Sequence, residues 1–83
     1  MKIEPDNAAY IDSLGWVYFK KGIFDKAVEE LERASLLLAD PVIYDHLGDA
    51  YLKKRNVEKA KQNWRKSLEL DANQDKVKEK LKK

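Results

Sequence analysis

The side chains most able to do chemistry in this sequence are grouped around its single histidine. His46 follows Asp45 directly and precedes Asp49 by three residues. Imidazole and carboxylate groups at this spacing occupy neighbouring positions on a helix, where they could bind a divalent metal or act as a general base. A lone histidine among acidic residues is more often simply solvated. We therefore expect neither a metal site nor a catalytic site at this cluster.

Other routes to catalysis have little support in the sequence. The absence of cysteine excludes disulfides, thiolate metal sites and a cysteine nucleophile. No glycine-rich phosphate-binding loop is present, and no serine lies in a motif typical of a nucleophile. We expect a protein that is not an enzyme and that uses no cofactor.

A pentapeptide that occurs twice sets the organisation of the chain. The segments 14–18 (LGWVY) and 47–51 (LGDAY) lie 33 residues apart. A lysine pair, a later alanine and a large apolar residue follow each copy at the same offset. A fixed period in this range indicates a repeat array.

The repeated pattern resembles that of a known family. Tyr18 is followed after nine residues by Ala27, and the second copy has Tyr51 and Ala60 at the same spacing. Leu-Gly-x-x-Tyr with these following residues is similar to the tetratricopeptide repeat, whose period is ~34 residues. The resemblance implies an all-α fold of antiparallel helix pairs. It divides the chain into the remnant of a preceding repeat, two repeats and a capping helix, at residues 1–7, 8–40, 41–73 and 74–83.

The first residues match the end of the second repeat. Residues 3–7 have the same apolar, acidic and turn-forming character as residues 68–73. We therefore expect the chain to begin inside a cut repeat and to be the C-terminal fragment of a longer bacterial repeat protein. A natural short protein with a frayed N-terminus is the alternative.

Turn residues and apolar periodicity predict five helical segments. The first has Asp6 or Asn7 as its N-cap and stops at Gly22, which can adopt a left-handed conformation. Asn56 is predicted to take that conformation after the third helix, and Asn73 to cap the last one. The predicted segments are about 8–21, 24–38, 41–54, 58–70 and 74–83.

Apolar stripes on these helices predict the core. Gly15 lies at the edge of the first stripe, where we expect the paired helix to approach closely. The predicted buried residues are Tyr10, Ile11, Leu14, Val17 and Tyr18 in the first helix; Phe24, Ala27, Leu31, Ala34 and Leu38 in the second; Ile43, Tyr44, Leu47, Ala50 and Tyr51 in the third; and Val57, Ala60, Trp64, Ser67 and Leu68 in the fourth.

The resemblance also implies where a partner would bind. In the family, the first helix of each repeat lines a concave groove. The corresponding residues of this chain are Asp12, Trp16, Phe19, Lys20, Val42, Asp45, His46, Asp49, Leu52 and Lys53. This set suits a peptide or helix with an apolar residue beside lysine or arginine, because a desolvated aromatic supplies binding energy and charges set orientation. The lysine, asparagine and arginine clamp with which some members bind chaperone tails is absent from these helices.

Three alternatives to groove binding stay open. Trp16 could be covered by a neighbouring repeat or by its own chain. The chain could be a structural element that ends a longer array or forms a homodimer. The lysine-rich last ten residues, which carry five lysines against Asp75 and Glu79, could contact nucleic acid or a membrane. Lysines all around a short helix are more typical of a solvated cap, so we do not expect nucleic acid or membrane as a partner.

Compartment and partner identity are not encoded in any recognisable motif. The apolar stretches are far shorter than the ~20 residues of a membrane span, and the net charge is +2. We expect a soluble product, of either the cytoplasm or the cell envelope.

Overall fold

The computed structural model describes residues 7–82 and contains five α-helices within that range. Each helix packs against the next one along the chain, and no strand occurs among the described residues. The predicted all-α fold of paired helices is confirmed. The helices are α1 (Ala8–Lys20), α2 (Phe24–Leu37), α3 (Pro41–Lys53), α4 (Val57–Leu70) and α5 (Asp75–Leu81).

Side-chain caps define where the first helix of each pair begins. The Asn7 side chain accepts a hydrogen bond from Tyr10 N at 3.1 Å, so Asn7 is the N-cap of α1, one of the two residues predicted for that position. Asp40 does the same for α3, accepting from Val42 N at 2.8 Å, and Pro41 occupies the first helical position. Proline suits that position because its missing N–H would have no partner inside the helix.

The turn between α3 and α4 differs from the prediction. Arg55, not Asn56, adopts the left-handed conformation, with φ of 65°. Asn56 instead caps α4, its side chain accepting a hydrogen bond from Lys59 N at 3.2 Å. An N-cap needs an extended type of backbone, so the chain reversal falls on the preceding residue. Gly22, with φ of 79°, makes the corresponding turn after α1.

The start of α5 also differs from the prediction. Gln74, not Asn73, is the N-cap residue, and no side chain caps the helix. The Gln74 amide turns back instead and donates to the Ser67 and Asp71 carbonyl oxygens at 3.1 and 2.8 Å. The start of α5 is thereby attached to the end of α4.

Most of the predicted core is buried between the helices, and Val77 of α5 joins it. Four predicted core residues are exposed instead. Tyr10 and Val17 lie on the side of α1 that α2 does not cover. Leu38 follows the last residue of α2, and Val57 is the first residue of α4, so neither is enclosed by a helix pair. The buried apolar residues are Ile11, Ala27, Val28, Leu31, Ala34, Ile43, Leu47, Ala50, Tyr51, Ala60, Trp64 and Val77.

Two glycines allow the paired helices to approach closely. A Cβ at Gly15 would lie 2.7 Å from Leu31 Cγ, and a Cβ at Gly48 would lie 2.2 Å from Trp64 Nε1. Both glycines are buried, so Gly15 lies within the packed face of α1 and not at its edge. The close approach predicted at Gly15 is confirmed.

Some predictions concern residues that the structure does not describe. Residues 1–6 and 83 lie outside the described range, and with them most of the segment compared with residues 68–73. The division of the chain at residues 7, 40 and 73 stays a prediction. Within residues 7–82, no helix combines the length and the apolar character that crossing a membrane requires.

Candidate functional site

Six of the ten predicted groove residues are partly buried, and they lie on one side of α1 and α3. On α1 the spacing of Asp12, Trp16 and Phe19 places them along one side of the helix. The 33-residue repeat places Asp45 and Asp49 at the positions that correspond to Asp12 and Trp16. These residues, with His46, form what we call the acidic-aromatic face: Asp12, Trp16, Phe19, Asp45, His46 and Asp49, all of them partly buried.

A hydrogen bond joins the two repeats across this face. His46 Nδ1 lies 2.8 Å from Asp12 Oδ1, and since a carboxylate can only accept, the imidazole donates. Both side chains are less than one-fifth exposed, at 19% and 17%. Within residues 7–82, no group of three or more histidine and acidic side chains has a geometry that could hold a metal ion.

Aromatic stacking fixes the position of Trp16. Its ring stacks on His46 with 4.1 Å between centroids and on Phe19 with 4.4 Å. Phe19 in turn meets Phe24 of α2 edge to face at 5.5 Å. Offset or edge-to-face ring pairs of this kind contribute about 0.5–1.5 kcal/mol beyond their buried area. Trp16 is therefore a rigid, partly covered ring that leaves part of its surface accessible.

A lysine from α5 lies between the two carboxylates of α3. Lys80 Nζ is 2.8 Å from Asp45 Oδ1 and 3.0 Å from Asp49 Oδ1. Burial raises the pKa of the Asp49 carboxyl above its ordinary value, and the hydrogen bond from Lys80 offsets only part of that effect. For Lys80, burial is outweighed by the hydrogen bonds to Asp45 and Asp49, which raise the pKa of the ammonium group. Asp45 and Asp49 thus form a site that already holds a cation.

Lys80 was missed as a site residue, because the lysines of the last helix were interpreted as a solvated cap. That interpretation is wrong for Lys80, whose ammonium faces α3. A signal was present in the sequence: Lys80 lies 33 residues after Leu47, a core position. A lysine at a buried position of a repeat must reach either water or an anion.

The other four predicted groove residues are exposed, unlike the six of the acidic-aromatic face. Lys20 and Lys53 are exposed in the last turns of α1 and α3. Val42 is exposed in the first turn of α3. Leu52 is also exposed and lines a pocket that it shares with residues of α4 and α5.

Helix pairs repeated at a fixed offset, with one polar and aromatic face on the first helix of each pair, define a helical repeat protein. Family models of the tetratricopeptide repeat match residues 8–37 and 41–74. The chain belongs to the tetratricopeptide repeat family, a family of non-catalytic repeat scaffolds that generally mediate interactions between proteins. A comparison with curated proteins found no significant match.

Proposed function

We propose that this chain binds a peptide or helical segment of a partner protein on the acidic-aromatic face of α1 and α3. The observation that carries the proposal is the Lys80 ammonium between Asp45 and Asp49. Lys80 is a model, within the chain, for the basic side chain that a partner would place on this face. A lysine or arginine of a partner would make the same charge-assisted hydrogen bonds in place of Lys80.

The neighbouring aromatic cluster supplies the second part of the recognition. Trp16 is held by His46 and Phe19, so little side-chain entropy is lost when a ligand packs on its accessible surface. An apolar or planar side chain of the partner would contact Trp16, and its basic side chain would lie near the carboxylates of α3. The proposed ligand is therefore a segment with an apolar residue close to lysine or arginine.

The experiment measures the binding of labelled peptides by fluorescence anisotropy. The probes are short peptides that carry leucine or phenylalanine at varied distances from arginine, with acidic peptides of the same lengths for comparison. We expect the basic peptides to bind, and Asp49→Lys to weaken binding by about tenfold or more, because the loss of a charged partner costs roughly 1.5–3 kcal/mol. Trp16→Ala should weaken binding as well, since aromatic residues are frequent hot spots.

A matched variant separates the face from the overall charge. Glu69→Lys makes the same change of charge at an exposed position of α4 and should leave affinity unchanged. Circular dichroism would establish that each variant is folded. Unchanged affinity in both Asp49→Lys and Trp16→Ala, or equal binding of acidic and basic peptides, would refute the proposal.

A further inference from the structure

The two ends of the helical array formed by residues 7–82 each carry an incompletely covered surface. The first of these is the outer face of α1, formed by Tyr10, Leu14 and Val17. Tyr10 is 43% exposed, whereas Ile43, its counterpart 33 residues later, is 3% exposed. Val17 is 48% exposed, whereas its counterpart Ala50 is completely buried. The outer face of α1 is thus an exposed apolar surface, whereas the corresponding surface of α3 is buried.

The packing of α3 explains this difference. It packs against α2 on one side and against α4 on the other. Of the elements in residues 7–82, only α2 packs extensively against α1. The α2–α3 contact therefore shows how a surface like the outer face of α1 is covered, namely by the second helix of a repeat.

At the other end of the molecule, α4 is covered incompletely. The helix α3, which packs against both α2 and α4, has thirteen residues, but α5 has only seven. An open pocket of about 340 Å³ lies where α5 ends. We call it the α4–α5 pocket, and it is lined by Leu52, Val57, Lys61, Trp64, Glu79 and Lys80.

We propose that the outer face of α1 docks on α4 of a second copy of this chain, as α3 docks on α2 within one copy. The incoming α1 has the thirteen residues needed to extend over the α4–α5 pocket. Such an arrangement would join copies head to tail, because each contributes α1 at one end and α4 at the other. The contact does not depend on the proposed peptide binding.

In this arrangement α5 is a competitor within the same chain. It covers the first half of the surface that an incoming α1 would need, held by the buried Val77 and by the Lys80 ion pairs. A tethered segment acts at an effective concentration of ~1 mM or more. Self-association is therefore expected to appear as α5 is loosened or as protein concentration approaches the millimolar range.

The experiment is sedimentation velocity over a concentration series with three variants. Val77→Ala should loosen α5 and increase self-association by about tenfold, because the fraction of molecules with an open α4 surface rises. Lys80→Ala, which removes the ion pairs and leaves Val77 in place, should act in the same direction. Val17→Lys, placed in the background of either variant, should abolish the association.

A mixing experiment tests the head-to-tail geometry itself. Val17→Lys blocks the outer face of α1, and Val57→Glu blocks the α4–α5 pocket; both replace exposed residues, so folding should be preserved. In the Val77→Ala background each blocked chain alone should be a monomer, and their mixture should form a dimer that grows no further. Leu70→Lys, at an exposed position outside both surfaces, should associate like its parent.

Two results would overturn the proposal. The first is a monomer at all concentrations for Val77→Ala and Lys80→Ala alike. The second is association that survives Val17→Lys, or blocked chains that stay monomeric when they are mixed although the parent associates.

Discussion

Gly48 of α3 lies directly against the indole ring of Trp64 of α4. A Cβ at position 48 would be 2.2 Å from Trp64 Nε1 and 2.3 Å from Cδ1. The ring is 3% exposed but also lines the α4–α5 pocket, so an added Cβ would have to push the whole rigid ring toward that pocket or separate the two helices. This contact sets the distance between the two helices of the second repeat.

Gly48→Ala is expected to destabilise the protein. Overpacking a core costs about 1–3 kcal/mol, and the short distance to a rigid ring places this change in the upper part of that range. Alanine favours the helix over glycine by up to about 1 kcal/mol, which offsets part of the loss. The free energy of unfolding from urea denaturation should fall by about 1–2 kcal/mol.

Gly15→Ala is the matched comparison in the first repeat. Its Cβ would meet Leu31 Cγ at 2.7 Å, and a leucine can adjust its rotamer more easily than an indole ring can shift. The loss should therefore be smaller than for Gly48→Ala. A Gly48→Ala protein as stable as the wild type would contradict this account of the helix spacing.

Arg55→Gly is expected to stabilise the protein. A non-glycine residue in the left-handed region costs about 1–2 kcal/mol, and Arg55 has φ of 65°. Glycine removes that strain but adds freedom to the unfolded chain, so the net gain in unfolding free energy should be about 0.5–1 kcal/mol. Thermal unfolding followed by circular dichroism would detect the increase.

The reciprocal change provides the control. Gly22 occupies the same turn after α1 with φ of 79°, and no atom lies within 4 Å of a Cβ built there. Gly22→Arg should therefore destabilise through the backbone alone, by a similar amount. Equal stability of both variants and the wild type would mean that neither turn is strained by its side chain.

Tyr51 should make stability sensitive to alkaline pH. Its hydroxyl donates to Glu32 Oε1 at 2.5 Å, and burial together with this carboxylate raises the pKa of the phenol well above its ordinary value of 10.0. A group whose pKa is raised by folding stabilises fully below the unfolded pKa and loses that contribution as pH rises through the folded pKa. The contribution of Tyr51 should therefore be constant below pH 10.0 and decline above it.

Tyr51→Phe isolates this effect. The variant lacks the ionising group, so its unfolding free energy should decline less steeply above pH 10.0 than that of the wild type. Tyr18→Phe, at the corresponding position of α1, serves as the control. Parallel pH profiles for the wild type and Tyr51→Phe would show that the hydrogen bond to Glu32 does not govern this titration.

The helix pairs could be predicted because local chemistry specifies them. The Leu-Gly-x-x-Tyr segments are recognisable within one helix because they repeat at a fixed offset, and Asp40 before Pro41 specifies a helix start within one turn. Arg55 was missed because Asn56 satisfied the usual preference for the left-handed turn, and only the need for an N-cap decides between the two. Competition between two roles for one residue is difficult to resolve from sequence.

The candidate site could be predicted only in part, for a different reason. Periodicity places Trp16 and Asp49 on one side of their helices, since it depends on a single helix. The hydrogen bond between Asp12 and His46 depends on how two helices are placed relative to each other. The position of Lys80 depends on a third helix, α5. The many lysines of that helix indicate only that it is polar, and not which of them faces α3.

The link between Asp12 and His46 has a mechanical consequence for the array. Direct contact between α1 and α3 is slight, so this hydrogen bond and the stack of Trp16 on His46 are the main connection between the first helices of adjacent repeats. A ligand that forms a hydrogen bond with Asp12 in place of His46, or that displaces the Trp16 ring, would break this connection between the repeats. Because repeat proteins are stabilised by nearest-neighbour coupling, occupancy of this face by the proposed ligand would change the cooperativity with which the two repeats unfold.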